Sequence, residues 1–261
     1  MPRAPKPKQE GTSWAPIPDP TGRFSSGIPD FDRLLGGGFQ RGSLAVFSMD
    51  ETVGTGDLDL LLFPTYLNHL YQSRGIVAIL PSRDSPHEFR ARLTQFVTRR
   101  RFDGRVRICD YVGEDEGTPY VVNLNPNPLS ALPKRSPAEE RRALAKMVAA
   151  EKAVQGNRGK PFVEVTAFEV FDTLMGSEKA TQLFYYGAKR TRMIHNLGIG
   201  LLGPGLGCAA GVRRLGGTEF ELHRDELGLI VRGVRPSFTS CVVTGDLTRG
   251  APHVAFVPRP S

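Results

Sequence analysis

The sequence predicts an α/β fold with a mostly parallel sheet, helices on both faces and an antiparallel C-terminal extension. Short apolar runs such as 43–49 and 75–81 alternate with segments whose apolar residues recur at helical spacing. Residues 218–258 instead show the polar–apolar alternation and turn signals of a meander. Strands that alternate with helices favour a parallel sheet, and consecutive hairpins favour an added antiparallel edge.

The individual elements follow from local patterns along the chain. Strands are predicted at 43–49, 75–81, 105–112 and 197–205, with a further strand in 162–171 that runs into a helix start. Helices are predicted at 58–72, 86–100, 136–155 and 177–196. The third of these opens on a capping box of Ser136 and Glu139. Repeated Asn-Pro and Gly signals predict a long loop at 113–135.

The order of strands and helices, without an internal repeat, indicates one folded domain, which length alone does not decide. The chain has 261 residues, of which 39% are hydrophobic and 23% are charged, so it can bury a core. Residues 1–22 are rich in Pro and Lys and are predicted to form a flexible tail, which leaves 23–261 as a single core domain. The net charge of +7 is compatible with an acidic partner but is too small to require one.

Cysteine usage and hydropathy exclude several classes of protein. Cys109, Cys208 and Cys241 are far apart and form no CxxC pair, which favours a reducing, cytoplasmic setting and argues against a metal site. No apolar run approaches the ~20 residues of a membrane span. Residues 1–22 also lack the apolar core of a signal peptide. We therefore expect a cytoplasmic protein without a membrane span.

Residues 25–63 carry the most informative pattern in the chain. The sequence Ser-Gly-Ile-Pro at 26–29 is followed by Asp32, Leu-Leu-Gly-Gly-Gly at 34–38, and Gly-Ser at 42–43. A strand, Gly-Thr-Gly and a helix come next. This order resembles the opening of a RecA/KaiC-type (RadA-related) ATPase core, and a weaker resemblance extends over nearly all of 25–258. It implies a RecA-like core, a nucleotide site at a P-loop, and edge-to-edge association of subunits.

The P-loop itself departs from the family pattern GxxxxGK[ST], in which Lys grips phosphate and a hydroxyl holds Mg²⁺. The first Gly falls on Glu51, the Lys on Asp57 and the Ser/Thr on Leu58. Carboxylates therefore crowd the place where ATP's own charge would lie, and we expect triphosphate to be rejected. Asp57 is expected to cap the helix instead. The degenerate loop comprises Glu51, Gly54, Thr55, Gly56, Asp57 and Leu58.

Two further catalytic positions differ from the family. Its paired glutamates before Ser-Pro, one of which would activate water, align with Arg83 and Asp84. Its Walker B aspartate aligns with Thr166, or with Asp172 if 171–174 is the hydrophobic-Asp-Thr pattern. We therefore expect no catalytic residue, no bound cofactor and no metal.

These departures favour a non-catalytic pseudo-ATPase that acts as a structural or regulatory subunit, either homo-oligomeric or paired with an active RecA/KaiC-like paralogue. A nucleic-acid-binding protein related to recombinase accessory proteins is the alternative. Its candidate contacts are Arg99, Arg100, Arg101, Arg213 and Arg214. The run at 99–101 is expected at a helix C-terminus, where cations suit the dipole with or without a partner. A third hypothesis is an ATPase whose cation comes from Lys160, Lys189 or Arg190.

Overall fold

The fold is built on one large sheet with helices on both faces. The computed structural model describes residues 14–111, 117–124, 137–156, 159–247 and 251–259. The strands of these residues are β1 (Arg23–Phe24), β2 (Phe39–Gln40), β3 (Ser43–Met49), β4 (Gly75–Ile79), β5 (Val106–Asp110), β6 (Val121–Asn123), β7 (Phe162–Ala167), β8 (Leu197–Leu202), β9 (Thr218–Asp225), β10 (Gly228–Arg235), β11 (Ser237–Asp246) and β12 (His253–Pro258). The helices are α1 (Pro29–Leu34), α2 (Thr55–Tyr71), α3 (Pro86–Leu93), α4 (Arg99–Arg105), α5 (Pro137–Gln155), α6 (Phe168–Met175), α7 (Ser177–Met193) and α8 (Ala209–Leu215).

The strand order of the large sheet is β12-β11-β10-β9-β3-β8-β7-β4-β5-β6, and β1 pairs with β2 in a small separate ribbon. Neighbouring strands from β9 through β3 to β6 run parallel, whereas β9 to β12 form an antiparallel meander. The predicted fold class is therefore confirmed. Across the described residues, every helix is too short or too polar to span a bilayer.

Strand β3 shows why the central strands are apolar throughout. Its residues Ala45 and Phe47 pack into the core under α2, and Leu44 and Val46 pack into a second core on the opposite face. A strand that is covered by helices on both sides has no solvent-facing residue, so its sequence does not alternate. The two cores make the sheet a rigid platform, and the loops at the carboxyl ends of its strands lie at one edge.

The prediction of a single helix at 86–100 is wrong. Helix α3 ends at Leu93, and a new helix, α4, begins after Thr98, whose hydroxyl accepts a hydrogen bond from the Arg101 backbone N–H at 3.3 Å. The arginines at 99–101 therefore occupy the first turn of a helix, not its last turn. The short strand β6 also lies inside the region predicted to be a loop, and Ser136 of the predicted capping box lies outside the described residues.

Residues 14–22, which the sequence assigns to a flexible tail, pack against α2. The backbone N–H of Ile17 donates to Asn68 Oδ1 at 2.7 Å, and Gln72 Nε2 donates to the Ile17 carbonyl at 2.9 Å. Asp19 forms ion pairs with Arg41 and Arg74. This segment therefore adds to the α2 side of the core, while residues 1–13 lie outside the described residues.

Candidate functional site

The turn from β3 to α2 occupies the place of the expected phosphate-binding loop. Gly54 precedes the helix in extended conformation, and Asp57 lies at its third position. The Asp57 carboxylate is buried, and its Oδ2 accepts a hydrogen bond from the Gly54 backbone N–H at 2.9 Å. In a working P-loop such N–H groups point at phosphate. Here an anion of the chain itself takes that hydrogen bond.

Arg224, on β9, neutralises this anion. The parallel pairing of β3 with β9 aligns Met49 with Leu222 and brings Arg224 to the loop, where its guanidinium forms an ion pair with the Asp57 carboxylate. The Arg224 backbone N–H also donates to Thr52 Oγ1 at 2.7 Å. The loop is thus held to its neighbouring strand, and both the negative and the positive charge have partners within the chain.

The two residues at the positions of the family's paired glutamates are also held in structural contacts. Arg83 donates to the Val53 carbonyl of the loop at 3.0 Å. Asp84 accepts two hydrogen bonds from Arg92, at 2.9 and 2.6 Å, and Arg92 also donates to Asp59 at 2.6 Å. A guanidinium cannot deprotonate water, and the Asp84 carboxylate already has a bidentate partner. Both side chains are thus engaged in contacts within the chain.

Asp59 in this cluster has a perturbed acidity. Burial raises the pKa of Asp59 and Arg92 lowers it; with a smaller increase from the Asp84 charge, the pKa is about 6. One guanidinium shared by two carboxylates leaves the group with an excess negative charge when both acids are ionised.

The cleft beside the loop is small. Its volume is about 110 Å³, whereas small-molecule sites usually enclose about 300–1,000 Å³. Its lining carries the acidic side chains Asp50, Glu51 and Glu169 and one cation, Arg83. The cleft is thus small, and its charged lining is mostly acidic.

The Walker B candidates lie elsewhere. The cleft is lined by Ala167, the last residue of β7, and by neither Thr166 nor Asp172. Thr166 instead lines a cavity on the sheet face that is opposite α2. Asp172 lies in α6 and accepts hydrogen bonds from the backbone N–H groups of Gly207 and Cys208, at 3.2 and 3.3 Å. The side chain that reaches the cleft from β7 is thus a methyl group.

The loop position corresponding to the family's metal-binding hydroxyl is apolar. Leu58 is 6% exposed and packs into the α2-side core. Among the residues that the structure describes, no group of three or more His, Cys, Asp or Glu side chains could hold a metal ion.

Two solved structures from the archaeon Pyrococcus horikoshii share this architecture. One is a KaiC-like protein, with a TM-score of 0.60 over 92% of this chain and 100% of that chain at 14% identity. The chain has a KaiC-like fold. The other is an uncharacterized protein in complex with an unknown peptide, with a TM-score of 0.63 over 89% of this chain and 99% of that one at 12% identity.

Sequence comparisons match part of this chain. A family model described as GvpD basic region 2 matches residues 13–140. Protein GvpD2 of Halobacterium salinarum is 29% identical over 102 residues, which are 39% of this chain. Protein GvpD1 of the same organism is 32% identical over 112 residues, or 41% of this chain. In each case the match spans only 21% of the relative's length.

The candidate nucleic-acid contacts fall into two separate groups on the KaiC-like core. Arg99 and Arg100 are exposed on α4, and the Arg101 guanidinium lies 4.2 Å from the ring centre of Tyr71. On α8, Arg213 donates to Ser48 Oγ at 3.1 Å and forms an ion pair with Glu219. The neighbouring Arg214 is exposed. Helix α4 packs beside β5 and α8 beside β3, so the two groups do not form one continuous stripe.

The alternative cations do not reach the cleft. Arg190 forms an ion pair with Glu151 on the sheet face that is opposite α2, and neither Lys160 nor Lys189 lines the cleft. Sequence reasoning missed Arg224, the cation that forms the ion pair with Asp57 in the loop. Nothing in the strand around it forms a motif, so no sequence signal was available to find it.

Proposed function

We propose that this chain is a non-catalytic RecA/KaiC-like protein that acts as a structural or regulatory subunit of a protein assembly. The observation that carries the proposal is the ion pair between Asp57 and Arg224, together with the hydrogen bond from Gly54 to Asp57. The Asp57 carboxylate thus binds a loop N–H and a nearby cation, as a bound phosphate would. The proposed pseudo-ATPase therefore has a nucleotide loop that is filled by its own carboxylate.

Electrostatics support this proposal. A phosphate that enters the loop must displace the Asp57 carboxylate or lie beside it, and each such pair of like charges costs about 1–4 kcal/mol at surface-like dielectric. The α2 dipole offsets only about 0.3–1 kcal/mol of that cost. The acidic lining at Asp50 and Glu51 adds to the repulsion.

Large apolar side chains that are exposed on α7 support the proposed role in an assembly. Tyr185, Tyr186 and Met193 on α7 are 55%, 68% and 71% exposed, and large exposed apolar groups are typical of interaction surfaces. We propose a second copy of the chain or an active RecA/KaiC-like paralogue as the partner. The free, buried thiols of Cys109, Cys208 and Cys241 support a reducing compartment such as the cytoplasm.

Calorimetric titration with Mg-ATP tests the loss of nucleotide binding. We expect no saturable heat up to millimolar ATP with the unmodified protein. The variant Asp57→Ala frees the Gly54 N–H and the Arg224 guanidinium, so it is expected to bind inorganic pyrophosphate roughly tenfold more tightly than the unmodified chain does. Asp103→Ala, which removes a carboxylate paired with Arg90 away from the loop, serves as the control of equal charge.

Micromolar ATP binding by the unmodified protein would contradict the proposal and would favour an ATPase with displaced catalytic groups. If Asp57→Ala and Asp103→Ala gained pyrophosphate affinity equally, the loss of one negative charge would explain the gain, and the loop would have no special part in it. Light scattering at several protein concentrations tests the assembly role, because a scaffold is expected to form an oligomer of defined size.

The position of the arginines on α4 favours nucleic-acid binding as a second candidate function. Arg99 and Arg100 lie in the first turn of the helix, where a cation is disfavoured by about 0.3–1 kcal/mol, so helix stability does not explain them. If they contact phosphates, binding of labelled DNA should weaken steeply with salt, and Arg99→Ala with Arg100→Ala should reduce the salt slope by about 2. Arg213→Ala with Arg214→Ala tests the α8 group in the same assay.

If the protein does not bind labelled DNA even at low salt and forms an oligomer of defined size, the role as an assembly subunit is favoured over nucleic-acid binding. A salt slope that neither arginine pair changes would place the contact elsewhere on the protein and would contradict the assignment to α4 and α8.

A further inference from the structure

A second cavity lies on the sheet face that is opposite α2 and is unrelated to the nucleotide loop. It encloses about 500 Å³ between α5, α7 and the central strands. This volume is within the range of sites that hold small molecules. Most of its wall is apolar, with contributions from Leu44, Met147, Phe168, Phe184 and Ile199.

The charged part of the cavity wall consists of two carboxylates and one guanidinium. Glu164 projects into it from β7 and Glu151 from α5, and Arg190 on α7 is the cation that faces them. Arg190 is committed to Glu151, whose Oε1 accepts a hydrogen bond from its guanidinium at 2.6 Å. The Glu151–Arg190 pair is therefore neutral as a unit, and Glu164 supplies the remaining charge.

The acidity of Glu164 reflects this environment. Burial, as the largest effect, and the Glu151 charge together raise the pKa of Glu164 to about 7 against the opposing effect of the Arg190 charge. The Cys109 thiol also faces Glu164, and burial raises its pKa well above the usual range, so it stays neutral. A ligand cation beside Glu164 would replace the missing counter-charge and favour the carboxylate.

We propose that this cavity binds a small apolar amine, with its ammonium group on the Glu164 carboxylate and its apolar body among Phe168, Phe184 and the neighbouring aliphatic side chains. Aromatic rings beside a carboxylate are suited to an organic cation. The orientation follows from the charges around the cavity. An adjoining recess of about 400 Å³ is lined by Arg141 and Lys179, which favours placing the ammonium group away from that recess, on Glu164.

Calorimetry of the full chain with a matched pair of probes tests this proposal at pH 7.5. The probes are 1-naphthylmethylamine and 1-naphthylmethanol, which share an apolar body and differ in charge. The amine is expected to bind roughly tenfold more tightly than the alcohol, because a charge-assisted hydrogen bond to a partly buried carboxylate is worth about that factor. Equal affinity of the two probes, or no binding of either at millimolar concentration, would overturn the proposal.

The dependence on pH gives a second readout on the same unmodified protein. As the pH falls through about 7, Glu164 takes up a proton and the ammonium loses its partner. Affinity for the amine at pH 5.5 is therefore expected to be roughly sixfold lower than at pH 7.5, because the charge on Glu164 is worth about tenfold and is mostly lost over this range, with no change for the alcohol. An amine affinity that is the same at both pH values would exclude Glu164 as the anchor.

The variant Glu164→Gln keeps the size of the side chain and removes its charge. It is expected to lose roughly tenfold in affinity for the amine and to bind the alcohol as before. Glu178→Gln, at an exposed position in the first turn of α7, is the matched control and should bind both probes like the unmodified chain. A loss in the control as large as that in Glu164→Gln would contradict the assignment.

Discussion

Replacing Phe31 by alanine is expected to lower the free energy of unfolding by about 3–5 kcal/mol. The Phe31 ring is 1% exposed and links three separate parts of the chain. It stacks on Phe256 of β12 with a centroid distance of 4.6 Å, and it contacts Phe220 of β9 at 5.2 Å and Phe39 of β2 at 5.7 Å. Deleting the ring removes apolar contacts and leaves a cavity that the rigid sheet cannot close.

Urea denaturation followed by circular dichroism measures this loss as a shift in the transition midpoint. Phe31→Leu retains much of the volume and is expected to cost less than Phe31→Ala, so it keeps the test usable if the alanine variant does not fold. Leu227→Ala, at a position that is 57% exposed, should change stability by less than about 0.5 kcal/mol. A Phe31→Ala midpoint equal to that of Leu227→Ala would show that the aromatic cluster does not stabilise the fold.

The motif around Phe31 explains why the fold class could be predicted from sequence. Asp32 accepts hydrogen bonds from the Ser26 backbone N–H at 2.7 Å and the Ser25 hydroxyl at 2.5 Å, so it fixes the turn before α1. Gly38 has a φ of +98°, and a Cβ atom there would lie 2.4 Å from the Phe24 carbonyl oxygen. These requirements are local, and a local requirement leaves a recognisable pattern in the sequence.

The contacts of the candidate site could be predicted only in part from local sequence patterns. The expectation that Asp57 caps α2 needs nothing beyond the loop itself, and the structure has the capping hydrogen bond to Gly54. The ion-pair partner, Arg224, is 167 residues away in sequence. It reaches Asp57 only because β9 pairs with β3 in the sheet. Such pairing between distant strands cannot be predicted from a short segment of sequence.

The residue at the Walker B position was also hard to predict from sequence, because a shift of one residue along the strand moves a side chain to the other face of the sheet. Successive side chains of a strand point to opposite faces, so Thr166 and Ala167 lie on different sides of the sheet although they are neighbours. Family spacing located the strand but not the residue that faces the cleft. The division between α3 and α4 was missed for a related reason. Phe96 and Val97 are buried between the two helices and therefore continue the apolar pattern of a single helix.

Replacing Asp19, in the N-terminal segment 14–22, is also expected to lower the free energy of unfolding by a large amount. Asp19 is 7% exposed at its side chain and forms an ion pair with Arg74, which is 11% exposed, and a second one with Arg41. The Asp19 carboxylate also accepts a hydrogen bond from the Ser25 backbone N–H at 3.2 Å. Asp19→Asn would leave the Arg74 charge buried without a carboxylate, and breaking a buried pair by removing one partner typically costs about 3–5 kcal/mol.

Chemical denaturation measures this cost, and hydrogen exchange at Ile17 locates it, since the Ile17 N–H is bonded to Asn68. Glu221→Gln is the control, because Glu221 and Arg232 form an exposed pair that should contribute less than about 1 kcal/mol. If both variants lost the same small amount, residues 14–22 would be a surface appendage, as their composition suggests. A large loss in Asp19→Asn alone, with faster exchange at Ile17, would make them part of the folding unit, because the buried charge on Arg74 then requires the segment in place.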